Sequence, residues 1–582
     1  MANNKHTLIT RDELKETIKI KGFIGQLLSG CAIKWLGLDE MNNIYDKVYD
    51  KDIDTFIENA LSLNNNTFVI PEKDISSIPE TGPVIFLCNH PLGGWDGLEI
   101  IKTLLKVRPD TKFLVNFMLS RIEPLQPCLI NVNPFESNKG LYSNVAGIKN
   151  MYNHIQEGKS LCILPAGEVS TWYGKSKFVE DREWQTNIIK LVKKANVPVV
   201  SCYIEGQNSK KFHILGKIHP ALRTLRLPKE FINKKNTEIY IRFSGPTSPK
   251  VIQNIEDIKT LGKVLKAKTY CLENDSYSID KIFNQHEDYA EIITPTAEDV
   301  LKNEIEKIKP TDLLFKSDNY LCFFSDFQTI PNIFREISRL REITFRDIGE
   351  GTGKDQDFDL YDPYYNHLFI WDENTSKIVG AYRIGLGKDI IKSKGIDGFY
   401  LNTLFELKKD FHPYMEKAME MGRSFIVPEY QRRTLPLFLL WRGIYSVTKK
   451  YPEYKYLAGP ASISNLYSKH AKILIIEYLK RCHGWTEIES FVDNRIPFKY
   501  KLNEHHSILL ETFGKEQASM DKLIKDIDIN RFGIPILIKK YLSLGGKVLN
   551  FNVDPDFNYA IDGLVILDIN SLSEDVINTY NK

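Results

Sequence analysis

The segment Asn89-His90-Pro91-Leu92-Gly93-Gly94-Trp95-Asp96-Gly97 follows the apolar run Val84-Ile85-Phe86-Leu87-Cys88, so a buried strand delivers a histidine and an aspartate into a glycine-rich loop. Imidazole is the side chain best suited to take a proton from a hydroxyl near neutral pH. A carboxylate on its other ring nitrogen fixes the tautomer and stabilises the imidazolium. Gly93 and Gly94 let the chain bend so that Asp96 can return toward His90. The expected chemistry is general-base activation by His90 with Asp96 as its orienter; the plainer alternative is a turn whose histidine caps a strand. A second segment, Leu161-Cys162-Ile163-Leu164-Pro165-Ala166-Gly167-Glu168-Val169-Ser170, again runs from an apolar stretch into a tight polar turn. Two such strand-to-loop sites fit one cleft.

The second half holds a different set of charged residues. Arg339 to Gly353 passes from a helix into the loop Gly349-Glu350-Gly351-Thr352-Gly353, followed by Asp357, Asp359 and Asp362. Asp357 and Asp359 are candidates for holding a cationic group, or else decorate a loop. Glu350, Arg383, Glu420 and Arg423 are candidate site residues whose alternative is an ion-pair network holding a sheet. Glu429-Tyr430-Gln431-Arg432-Arg433-Thr434-Leu435-Pro436 opens the apolar helix Leu437 to Val447. Free amides at a helix start, with Arg432 and Arg433, make a seat for a phosphate. Trp371, Trp441 and His367 read as core residues.

The positioning elements follow from apolar patterning. Residues 80–250 alternate short β-branched runs with helical stretches: Phe113-Leu114-Val115 and Ile239 to Phe243 as strands, Gly147 to Glu157 and Thr186 to Asn196 as helices. Residues 12–62 read as helices. In the second half Tyr364 to Asp372 and Ile378 to Gly385 form a hairpin, His412 to Met421 a helix, and Arg423 to Pro428 the next strand. The chain of 582 residues is too long for one core. It divides into residues 1–269, a connection at 270–310, and residues 311–582, and each half is expected to work when the chain is split in the connection.

With 77 basic and 75 acidic residues the net charge is +2, and no basic and aromatic stripe points to nucleic acid. The eight cysteines are widely spaced, without C-x-x-C pairs or zinc-ligand spacing, and read as reduced thiols of a cytosolic protein. No metal is expected. The start lacks the layout of a signal peptide, and no stretch reaches the ~18–20 apolar residues that span a bilayer. Phe23 to Leu38, apolar on most of its circumference and flanked by lysines, either packs on the first domain or inserts at a lipid interface.

The N-terminal motifs resemble the hemolysin-type branch of the glycerolipid acyltransferases, with its N-H-P-x-G-G-x-D-G and P-x-G-E-V-S patterns. The resemblance extends through Val197-Pro198-Val199-Val200, Gly206-Gln207-Asn208-Ser209 and His219-Pro220-x-Leu222-Arg223-Thr224. Where phospholipid enzymes carry P-E-G-T-R-S, this chain reads Pro165-Ala166-Gly167-Glu168-Val169-Ser170. The phosphate-reading arginine is missing, so Gly167 and Glu168 are expected to shape a pocket for a head group with an ammonium or amide. The second half resembles the ornithine-acyl-carrier-protein N-acyltransferases, of GNAT type. Phe345-Arg346, Gly349 to Gly353, His367-Leu368-x-x-Trp371-Asp372, Gly380-x-Tyr382-Arg383 and Glu420-x-Gly422-Arg423-Ser424 carry that likeness, which continues to Asp562-Gly563-Leu564.

The resemblance implies an α/β fold: a glycerolipid acyltransferase-like α/β domain followed by a GNAT-like α/β domain. It implies a bifunctional ornithine lipid synthase, N-acylating ornithine from 3-hydroxyacyl carrier protein and then O-acylating the lyso-lipid's 3-hydroxyl. Glycine or another amino acid is the alternative acceptor, and one domain acting only to bind acyl carrier protein is another. No cofactor is implied beyond acyl-carrier thioesters as co-substrates. Glu350 becomes the candidate base for N-acylation, with Asp357, Asp359, Arg383, Glu420 and Arg423 around the amino acid and Arg432 and Arg433 on the phosphopantetheine. The expected location is the cytoplasm, peripheral on the inner face of the cytoplasmic membrane.

Overall fold

The computed structural model describes residues 38–116, 121–132, 141–172, 178–218, 220–273 and 289–581. The apolar segment 23–38 lies outside them except for Leu38, as do residues 274–288 of the expected connection. Two compact units are present. The first takes Met1–Asn274 together with Asn503–Phe513 and Lys525–Arg531; the second takes Asp275–Leu502, Gly514–Ile524 and Phe532–Lys582.

The first unit is built on a seven-stranded sheet. Its strands are β1 (Thr67–Val69), β2 (Val84–Cys88), β3 (Lys112–Asn116), β4 (Leu129–Val132), β5 (Ser160–Ile163), β6 (Val199–Ile204) and β7 (Glu238–Phe243), in the order β1-β7-β6-β2-β5-β3-β4. All pairs are parallel except β6 with β7. Both faces are covered, which is why β2 is apolar at every position. Val84, Phe86 and Cys88 pack on one side with Cys202 and Phe243, while Ile85 and Leu87 pack on the other with Leu161 and Val199. Each large apolar side chain so buried contributes about 1.5–3 kcal/mol. In open parallel sheets, ligands sit beyond the carboxyl ends of the strands, where successive connections leave in opposite directions. Here that place is β2: from it the chain crosses over β5 to reach β3, and from β5 it crosses over β2 to reach β6.

The expected contiguous second domain, 311–582, needs correction, because two of its segments complete the first unit. Lys268, on the helix Ile258–Tyr270, places Nζ 2.7 Å from Oδ2 of Asp526, and both side chains are buried. The buried Asp74 carboxylate is shared between Arg242 Nε at 2.6 Å and Arg531 Nη2 at 2.9 Å. A charge withdrawn from water needs a partner, and Lys268 and Asp74 each draw one from more than 250 residues downstream, Asp526 and Arg531.

The second unit has an eight-stranded sheet: β8 (Leu313–Ser317), β9 (Tyr320–Asp326), β10 (Asn366–Asp372), β11 (Lys377–Leu386), β12 (Ala418–Ile426), β13 (Tyr456–Ile463), β14 (Lys547–Asp554) and β15 (Ala560–Asp568), in the order β8-β9-β10-β11-β12-β13-β15-β14. The expected helix through Met421 stops at Glu416, and β12 begins at Ala418, because its first residues are paired on both sides by β11 and β13. The only parallel neighbours are β12 and β13. They are hydrogen-bonded from Ala418–Glu420 to Tyr456–Ala458 and then part, β12 staying with β11 and β13 with β15. A wedge therefore opens inside the sheet.

The seven cysteines among the described residues are free thiols. No helix among those residues is long and apolar enough to cross a membrane.

Candidate functional site

In the first unit His90 stands immediately beyond the end of β2. Asn89 fixes that exit to β6: its Nδ2 donates to Ile204 O at 2.9 Å and its Oδ1 accepts from Ile204 N at 2.7 Å. The helix α1 (Gly94–Val107) starts behind the loop, and Asp96 in its first turn folds back as expected. Asp96 Oδ2 accepts from Leu92 N at 2.8 Å and Gly93 N at 3.2 Å, while Oδ1 lies 3.1 Å from His90 Nδ1. The glycines serve a close approach as well as a bend. Gly93 has φ +84°, and a Cβ on Gly94 would come within 2.7 Å of the Phe231 ring, which stacks on Trp95 at 4.2 Å. Phe231 belongs to α2 (Pro220–Asn233), which closes over the loop.

Nδ1 lies 3.1 Å from the Asp96 carboxylate without being aligned for a hydrogen bond, no partner of Nε2 occurs among the described residues, and 21% of the side chain is exposed. This is the geometry of a base with one nitrogen oriented and the other open. Burial pushes the imidazole down, but the Asp96 carboxylate, then the charges of Asp181 and Cys88, outweigh it, and its pKa is raised from 6.5. The base-competent neutral form therefore grows as pH rises through that raised value.

Asp181 was missed from the sequence, where no motif marks it. Fully buried, it accepts from Ser170 Oγ at 2.6 Å, Trp184 Nε1 at 3.0 Å and His90 N at 3.3 Å. Ser170 N also donates to His90 O at 2.8 Å, so the two expected loops are stitched together. Gly167 takes φ +70° at the turn of the second loop. Glu168 departs from expectation. It does not face an empty pocket awaiting an ammonium: Oε1 lies 3.1 Å from Arg182 Nε, and Oε2 accepts from Arg223 Nη2. Two arginines from outside the second loop therefore stand at Glu168, although position 169 is a valine.

In the second unit the helix Pro331–Asp347 ends in Gly349 at φ +71°, and Glu350 points to β13, accepting from Ser462 Oγ at 2.8 Å. Burial pushes Glu350 up to about 7; the Ser462 hydrogen bond opposes this and the Asp554 charge adds to it. Asp562 on β15 is also held well above the usual carboxylate range, by burial and then by the charges of Asp554 and Glu350. Asp554 accepts from Tyr400 Oη at 3.0 Å. These three carboxylates, with Tyr400 and Ser462, form an acidic cluster beside Arg423, whose guanidinium lies 4.5 Å over the Tyr400 ring and 4.3 Å over Phe557.

The other expected site residues sit in a buried network. Arg341 contacts Asp357 at 3.0 Å and Asp362 at 2.9 Å; Arg383 contacts Asp362 at 3.2 Å and also Asp359; Arg423 contacts Asp357 at 3.2 Å and Asp359 at 2.9 Å. Burial alone would raise Asp362, but the Arg341 and Arg383 charges outweigh it and hold its carboxyl far below the usual range. Asp357 and Asp359 are thus engaged by arginines of this chain. Glu420, pushed up to about 7 by burial, accepts from Leu401 N at 2.6 Å, Tyr400 N at 3.2 Å and Tyr365 Oη. Arg432 and Arg433 are exposed. Arg433 is the N-cap of the helix Thr434–Lys450, which starts three residues earlier than expected, and its guanidinium lies 5.2 Å over the Tyr430 ring.

A family model described as acyltransferase matches residues 20–280, and one described as acetyltransferase (GNAT) domain matches residues 340–441. The chain is an acyltransferase enzyme. This acyltransferase is 29% identical over 300 residues to a glycine N(alpha)-acyltransferase of Bacteroides thetaiotaomicron, covering 49% of the chain and 88% of the relative. It is 25% identical over 256 residues to a lyso-glycine lipid O-acyltransferase of the same organism, covering 42% and 90%. Against an L-ornithine N(alpha)-acyltransferase of Brucella abortus it is 25% identical over 271 residues, covering 43% and 87%.

Proposed function

We propose that the enzyme makes an aminolipid in two steps, N-acylating an amino acid in its second unit and then O-acylating the 3-hydroxyl of that product in its first. The observation that carries this reading is the similarity of one chain to relatives named for both steps. In the first step the amine attacks a 3-hydroxyacyl thioester, Glu350 accepts the amine proton, and the C–S bond breaks as that proton passes to the departing carrier thiolate. In the second, His90 Nε2 accepts the hydroxyl proton, the oxygen attacks another acyl thioester, and the imidazolium returns the proton to the departing thiolate. Asp96 stabilises the imidazolium throughout. The reactions take place at the inner face of the cytoplasmic membrane, where the acceptor resides.

Glycine is the favoured amino acid. The glycine relative matches at higher identity over a longer stretch than the ornithine one, and the Asp357 and Asp359 carboxylates, expected to hold the amino acid's cationic end, already pair with arginines. Ornithine remains the second reading because of the relatives named for it. Expression in a host lacking aminolipids, followed by lipid mass spectrometry, tests the proposal. A diacyl glycine lipid supports it, an ornithine lipid replaces the head group, and an unchanged lipid profile overturns it.

Glu350→Gln is expected to lower N-acylation by roughly 10²–10⁴-fold and to remove the rise in its rate near pH 7, while a supplied lyso-lipid is still O-acylated. An unaltered pH profile would remove Glu350 from the base role. Carrier protein is the proposed donor for this unit, through its phosphodiester at Arg432 and Arg433. Reversing both charges should raise the Michaelis constant for the carrier thioester more than that for the amino acid, and the native contact should weaken with salt. Indifference of both constants would move the donor site elsewhere.

A further inference from the structure

We propose that Arg223 and Arg182, with Glu168 between them, receive the carboxylate of the acceptor lipid in O-acyl transfer. This rests on the two-step reading above and names what the first unit recognises in its acceptor.

Position comes first. Glu168 is two residues from Ser170, whose N–H is bonded to His90 O. Arg223, Leu227 and Phe231 recur every four residues on α2 and share one face. Phe231 stacks on Trp95, and Leu227 lies 3.1 Å from where a Cβ on Gly93 would be, so this face is the wall of the His90 loop and Arg223 continues it.

The second observation is an unspent donor. Arg223 is only 2% exposed, and while Nη2 serves Glu168, Nη1 is buried with no hydrogen-bond partner among the described residues. A guanidinium offers five N–H groups in a rigid fork, and leaving them dry is costly enough to point to a ligand. Arg182, about half exposed, opens the same cluster to solvent.

Charge then selects the anion. Two guanidiniums and one carboxylate sum to a single positive charge, which one carboxylate neutralises. A phosphate monoester, carrying about −1.5 to −2, would exceed it. Every N-acyl amino acid has a free α-carboxylate, so the cluster reads what glycine and ornithine products share. Glu168 lowers the charge of an otherwise phosphate-seeking pair.

The test is steady-state O-acylation by the full-length enzyme of N-(3-hydroxyacyl)glycine and of its carboxamide, which differ only in the acceptor charge. The wild type should prefer the carboxylate by about 10–100-fold in kcat/KM, the factor for a charge-assisted hydrogen-bond pair. Arg223→Gln should erase that preference through the Michaelis constant, and Arg223→Lys should keep part of it. Equal use of both acceptors by the wild type, or a preference surviving in Arg223→Gln, overturns the assignment while leaving the reaction in place. Product from neither acceptor overturns the reaction reading and the assignment with it. The wild-type comparison decides the matter even if the glutamine variant does not fold.

Discussion

Replacing His90 with alanine is expected to stop O-acyl transfer while N-acyl transfer continues, so that the mono-acylated lipid accumulates. Losing the group that takes the hydroxyl proton should cost roughly 10²–10⁴-fold in rate. The alanine removes only the side chain facing Asp96 at 3.1 Å; the backbone bonds of His90 to Ser170 and Asp181 remain possible, so the loss is one of chemistry rather than of loop structure. In the wild type the O-acylation rate should rise with pH through a midpoint above 6.5, set by burial against the charges of Asp96, Asp181 and Cys88. Stability should run the other way. A raised imidazole value stabilises the fold fully below the unfolded pKa, and the increment fades as pH rises through the folded one. Mature diacyl lipid at the wild-type level in the alanine variant would remove His90 from catalysis.

Cutting the chain in the 270–310 region is expected to destabilise the first unit, reversing the expectation of two independent halves. A fragment of residues 1–274 would keep Lys268 and lose Asp526, and keep Asp74 and Arg242 while losing Arg531. Breaking a buried pair from one side costs about 3–5 kcal/mol, against a typical total of about 5–15 kcal/mol. The Lys268–Asp526 loss should dominate, because Arg531 is 20% exposed and screened in part. Thermal unfolding followed by circular dichroism would show a fragment with a strongly lowered midpoint or no cooperative transition. Asp526→Asn in the intact chain should reproduce part of that shift. A fragment as stable as the whole chain would mean that the return segments are dispensable.

What was legible in the sequence was what the chain brings together locally. His90 and Asp96 belong to one loop, with a strand before and a helix after, so residue types and two glycines were enough to foresee their meeting. The apolar run of β2 announced a strand buried on both faces. Partners drawn from far away were not foreseeable. Arg223 reaches Glu168 across 55 residues and Asp181 reaches His90 across 91, and neither is flagged by periodicity or spacing. For that reason the arginines beside Glu168 could not be read from its own block, where valine stands at 169. In the second unit Ala418 to Met421 alternates too weakly to look like a strand, and pairing with both neighbours overrides its local preference. Asp357 and Asp359 looked available because the arginines that occupy them lie on three separate elements.

The return of Asn503–Phe513 and Lys525–Arg531 to the first unit also sets an order of events during synthesis. At about 5–20 residues per second, the ribosome needs on the order of tens of seconds to pass from residue 274 to residue 531. For that interval the nascent first unit carries Lys268 and Asp74 without their late partners, while most of the second unit's chain is being made. The part translated first is thus finished only after the part translated next has largely emerged. A stall or premature stop between these positions would release a chain whose leading unit lacks the late partners of Lys268 and Asp74 and whose second sheet lacks β14 and β15.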